Sequence, residues 1–175
     1  MKLTYLLAAG IALATVACDK DDEPVTKADI VGTWEMTEYD ATTELEAQGT
    51  LTTSTSTIGD DHDVTIEFRE DDILVQSGTY QVVTEVEIDG ETFEPVTQTF
   101  DAATTATYEV NDGRLTGAVL STDVDAQVVD DPDAGYALQL DGDRLTMTTE
   151  AQVTTNSGGA AFTTNAELRM VLVRQ

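Results

Sequence analysis

Positive charge is what this chain has least of. Eight Lys and Arg stand against 34 Asp and Glu, for a formal net charge of −26. Nucleic acids and other acidic polymers need clustered Lys and Arg, so neither is expected as a partner. A single cysteine, Cys18, cannot form an internal disulfide. A single histidine, His62, is the one possible base for a Ser-His or Cys-His pair. It lies in GDDHDV, between Asp60, Asp61 and Asp63, whose charges suit it poorly to that work, and a solvated loop is the plainer assignment. No Gly-rich phosphate loop is present. Paired carboxylates could serve glycoside hydrolysis, but among 34 acids any two are close and the pairing carries no signal. Neither an enzyme nor a cofactor is expected. Segments of helical period are also missing, apart from a possible short turn over residues 27–31.

What remains is rich in strand formers. Hydrophobic residues make up 41% of the chain, enough for a core despite the charge, and thirty residues are Thr. The length of 175 residues suits one domain. Past Lys27 the sequence alternates with period two. Gly32, Trp34 and Met36 fall on one face, as do Val64, Ile66 and Phe68. Tyr80, Val82, Val86 and Ile88 form another such set, followed by Leu145, Met147 and Ala151, and by Leu168, Met170, Leu172 and Arg174. Hairpin signals separate these runs: Asp89-Gly90, the near copies VNDGRLT and LDGDRLT, and NSGG. Sequential hairpins predict an all-β fold, an antiparallel up-and-down β-barrel of about 8–10 strands, since closure also removes the edges. The acidic surface reads as heavily solvated, with adaptation to high salt as the sharper hypothesis.

The chain opens MKLTYLLAAGIALATVAC. A charged Lys2, a short apolar stretch and small residues make a secretory signal too short to span a bilayer as a helix. TVAC resembles a lipobox, with Thr15 where Leu is usual. That resemblance implies a signal peptide over 1–17 and lipid attachment at Cys18, which also excludes a His-Cys zinc site. CDKDDE then resembles the surface-export signal of lipoproteins of the Bacteroidetes group, carried here by Lys20, Asp21 and Asp22. Residues 18–27 read as an acidic tether and 28–175 as the domain. The expected location is the outer membrane, anchored through Cys18 and facing outward, with a periplasm-facing anchor as the alternative.

GTW at Gly32 to Trp34, preceded by a short turn, resembles the lipocalin signature. The resemblance implies that Trp34 sits at a closed end with an Arg of the last strand, here Arg174, crossing over it. GTW, SGTY, the Asp89-Gly90 hairpin and the terminal RQ together resemble the Thr-rich lipocalin-like lipoproteins of the Bacteroidetes group. Gly32, Trp34 and Arg174 would then form the barrel floor. Phe68, Tyr80, Tyr108 and Met170 would line a cavity for a small hydrophobic ligand. The alternative is a solid barrel acting as an envelope interaction protein or an inhibitor of a secreted enzyme. No metal is expected, the weak calcium candidates being Asp123, Asp125, Asp130, Asp131 and Asp133, whose spacing does not fit an EF-hand.

Overall fold

The computed structural model describes residues 24–47, 50–117, 135–157 and 160–175. It is all-β apart from one helical turn, α1 (Lys27–Ile30). The described residues form thirteen strands, β1 (Gly32–Ala47), β2 (Thr50–His62), β3 (Thr65–Phe68), β4 (Ile73–Ser77), β5 (Thr79–Ile88), β6 (Glu91–Thr92), β7 (Val96–Asp101), β8 (Thr104–Thr107), β9 (Glu109–Asn111), β10 (Arg114–Thr116), β11 (Tyr136–Asp141), β12 (Arg144–Ser157) and β13 (Ala160–Arg174). All belong to one antiparallel sheet. Its main path runs β6-β5-β2-β1-β13-β12-β11-β10-β9, with β3, β4 and β8 branching in turn from β1, and β7 from β5.

The count exceeds the expected eight to ten for a physical reason. Three continuous runs are each broken once: β2 from β3 at Asp63-Val64, β4 from β5 at Gly78, and β7 from β8 at Ala102-Ala103. The breaks line up. Asp63 N–H donates to Thr79 O at 2.9 Å, and Ala102 N–H donates to Gly78 O at 2.9 Å. A crease therefore crosses the sheet at one level. Gly78 sits at φ +107°, and a Cβ there would lie 2.4 Å from Asp63 O. Only glycine fits this approach of two backbones.

The first and last strands pair along their length, Trp34 opposite Arg174 and Ala47 opposite Phe162. A bulge between Met36 and Glu38 interrupts that register. An extra residue in one strand reverses which side chains face inward. Before it Trp34 and Met36 are buried; after it Tyr39 and Ala41 are. The near-copy hairpins also differ. Asn111 pairs with Arg114 around Asp112-Gly113, whereas Asp141 pairs with Arg144 around Gly142-Asp143. Both loop residues have positive φ in the first, glycine alone in the second.

The sheet wraps one core that draws on its whole width, from Trp34, Phe68 and Leu74 to Tyr108, Leu115, Tyr136, Leu145 and Leu172. The expected barrel closure is not present in the hydrogen bonding. The two arms of the sheet end at β8 and β9, on either side of Tyr108, and no ladder joins β8 to β10 among the described residues. β10 stops at Thr116. At Gly117 the chain then passes so close to β8 that a Cβ would lie 3.3 Å from Thr107 O.

Candidate functional site

One end of the molecule is built around α1 and the chain's single Trp. Asp29 accepts hydrogen bonds from the backbone N–H and the hydroxyl of Thr26, at 2.8 and 2.6 Å, which ties off the first turn. These bonds, Thr26's hydroxyl first, hold the Asp29 carboxyl below its ordinary range. Ile30 is fully buried and its carbonyl accepts from Trp34 Nε1 at 2.7 Å. Arg174 lies over the indole, 4.3 Å from the ring centroid, and donates to Val31 O and Asp29 O. Such stacking keeps a guanidinium packed while its edge is hydrogen-bonded. Gly32 leaves the space for it, since a Cβ at that position would lie 3.2 Å from the Arg174 Nη1. Gly32, Trp34 and Arg174 are thus brought together. Gln175 continues the seam, its N–H donating to Thr33 O at 3.0 Å and its amide to Glu35 at 2.6 Å.

The neighbouring corner is tied by Lys27. Its ammonium bonds Asp72 and the Glu70 carbonyl and lies 5.9 Å from the Tyr108 ring centroid. Val25 also packs on the core. The folded unit therefore takes in Val25, Thr26 and Lys27, which the sequence pattern placed in the tether. Tyr108 donates its hydroxyl to Arg69 O at 2.7 Å. Burial, then the charges of Asp72 and Asp71, push its pKa up to about 12, so it stays a neutral phenol.

The four candidate cavity residues are core residues. Phe68, Tyr80, Tyr108 and Met170 are each no more than 2% exposed. Phe68 meets Tyr108 edge-on at 5.3 Å between centroids, and Tyr80 stacks on Phe100 at 5.4 Å. Met170 faces Tyr39 on one side and Met147 on the other, all buried. Large side chains fill this half instead of lining a space, and none of the three described concavities is lined by any of the four. His62 ends β2 opposite Tyr80, with Nδ1 2.9 Å from Gly59 O. Cys18, Lys20, Asp21, Asp22, Asp123, Asp125, Asp130, Asp131 and Asp133 lie outside the described residues. Among the described residues no group of three or more His, Cys, Asp or Glu is arranged to hold a metal ion, and no helix is long and apolar enough to cross a membrane.

No protein-family model, curated protein or solved structure matches the chain.

The opposite end holds what the sequence pattern did not reveal. Strand registers place the Asp40–Arg169–Thr148 row partway along the long strands. Every described strand Arg lies on this row or on the Trp34 side of it, as does Lys27. Beyond it stand Glu44, Glu46, Glu85, Glu87, Glu150 and Glu167, and no described strand residue there is Lys or Arg. The signal lay in the spacing of the bases, since residues 28–68 and 70–113 contain no Lys or Arg. Arg144 and Arg169 instead both bond Glu38, each at 2.7 Å. The bond from Arg144, then that from Arg169, holds the Glu38 carboxyl below the usual range. The stabilising contribution of this partly exposed cluster is in place above the ordinary carboxylate pKa. It is lost as pH falls through the lowered value.

On the outer face Glu150 stands directly opposite Glu167. Glu44, Gln152 and Asn165 join them around an open concavity of about 480 Å³. Like charges across a strand pair repel, by up to about 1 kcal/mol. Glu167→Lys is therefore expected to raise stability by about 0.5 kcal/mol at low salt, read from the denaturant midpoint. The gain should shrink in molar salt, where the unmodified protein's own melting temperature rises because repulsion is screened. An equal or larger gain at high salt would show that repulsion is not its source.

Proposed function

We propose that the chain is a lipid-anchored envelope protein whose β domain serves as a solid scaffold for contact with another protein. The observation that carries this is the burial of the inward aromatic layer. Phe68, Tyr80, Tyr108 and Met170, the side chains best able to bound a ligand chamber, pack against one another and their neighbours. A sheet whose inward layer is taken up by packed side chains offers its surface for contact. The resemblance of CDKDDE to a surface-export signal and of GTW…RQ to lipocalin-like lipoproteins supports an outer-membrane location and a barrel-like ancestry.

Full-length protein made in a Gram-negative host, cross-linked in place and examined by mass spectrometry, tests the reading. The expected result is an acylated Cys18, a protein partner, and no stoichiometric small molecule. A retained apolar molecule would overturn it. Cys18→Ser is expected to move the protein from the membrane fraction to the soluble one.

A second reading has its own observation. On the inward face of the long-strand half, Leu45, Ser54, Val86 and Phe162 remain half-buried. A small apolar ligand resting there, beyond the aromatic layer, is the role that a retained molecule would reveal.

A further inference from the structure

Residues 87–99 are exposed without a break. Within that stretch Ile88 is 37% exposed, Phe93 48% and Val96 55%. These side chains are not scattered. Phe93 N–H donates to Val86 O at 2.9 Å, and Val96 pairs with Thr84. Directly paired residues share a face of the sheet. Val86, Ile88, Phe93 and Val96 therefore continue the face that holds buried Tyr80 and Val82, at the margin of the sheet where the core runs out. Apolar surface gathered in this way, rimmed by polar groups, marks a contact surface.

The rim is of one sign. Glu91 pairs with Ile88 on this face and Asp89 and Glu94 adjoin it, all three exposed, while Glu85 and Glu87 stand on the opposite face. No base lies on this part of the chain, from residue 70 to residue 113. The charge excludes two occupants. A second copy of this patch would set carboxylates against carboxylates, and an anionic membrane surface would repel it. A partner that inserts apolar side chains while presenting Lys or Arg to the rim satisfies both features. We propose that the face formed by Ile88, Phe93 and Val96 docks a basic protein segment with interspersed apolar side chains. The proposal rests on the scaffold reading above and names its surface and the chemistry of its partner.

The test uses the full-length chain in mild detergent and two fluorescent dodecapeptides of equal charge, one of Lys and Leu and one of Lys and Ser. Anisotropy is measured at near-physiological salt. The Lys/Leu peptide is expected to bind about tenfold more tightly than the Lys/Ser peptide, as for anchors at the centre of an interface. The double variant Phe93→Ser, Val96→Ser should lose that preference without a change in melting temperature, since both side chains are exposed. Charge reversal by Glu91→Lys with Glu94→Lys should weaken both peptides. Equal affinities, no binding, or a preference unchanged in the double variant would overturn the proposal. If the cross-linked protein partner is still captured by the Phe93/Val96 variant, the surface is misassigned while the scaffold reading stands.

Discussion

Trp34→Ala is expected to cost about 3–5 kcal/mol, the range for truncating a buried aromatic. The indole is fully buried, and three elements depend on it. α1 is held by the bond from Nε1 to Ile30 O, and β13 is held through the Arg174 guanidinium stacked on the ring. The third element is β3, whose Ile66 pairs with Trp34 in register. Truncation removes the ring from all three and leaves Arg174 over a void. Trp34→Phe keeps most of the volume but loses the donor and part of the face, so a smaller loss is expected. Urea unfolding of the three proteins measures both. An alanine variant as stable as the parent would show that the Trp34 end does not close the fold.

Gly78→Ala should be costly for a different reason. The residue holds φ +107° and its added methyl would lie 2.4 Å from the Asp63 carbonyl oxygen. The conformation alone costs a residue with a Cβ about 1–3 kcal/mol. The clash adds to this because the obstacle is backbone and cannot rotate away. The crease would have to open, disturbing the bonds from Asp63 to Thr79 and from Ala102 to Gly78. Gly90 provides the control. It too has positive φ, at +86°, but a Cβ there meets nothing within 4 Å. Gly90→Ala is therefore expected to cost about 1 kcal/mol, from conformation alone. Calorimetric melting of the pair separates strain from collision. Equal losses would mean that the crease at Gly78 is not tight.

Some of this was legible in the sequence. Period-two alternation, Thr and Val content and acidic-Gly turns were enough for an all-β antiparallel fold, because each is a local rule. The meeting of Trp34 and Arg174 was implied by the resemblance of GTW to the lipocalin signature, with which the inward parity of Arg174 agrees. Other features escaped. The bulge between Met36 and Glu38 has no mark of its own, since Thr37 is an ordinary strand residue, yet it moves the inward set from Trp34 and Met36 to Tyr39 and Ala41. The strand count was too low because the breaks at Asp63-Val64 and Ala102-Ala103 lie inside runs that alternate as if continuous. The aromatics were legible as inward-facing, but whether they line a space or fill it depends on how far the sheet curls. The separation of charge was hidden because it is a property of register. Lys27 and Arg174 lie far apart in sequence yet flank the same turn of helix.

The seam between Gly32 and Gln175 also sets the end at which the chain enters the domain. α1 and the β1–β13 seam put the domain's entry at the Trp34 end. Pro24 lies there too, within 3.5 Å of the Cβ position of Gly113. On the proposed anchoring at Cys18, five residues lie between the lipidated residue and Pro24, a leash of at most about 20 Å when taut. The sixteen residues of β1 rise away from that leash, a mast about 50 Å tall at the usual advance per strand residue. On that anchoring the Trp34 end would be moored near the headgroups. The apolar corner of Ile88, Phe93 and Val96 would then be carried outward, at a height where it could meet partners that never touch the membrane.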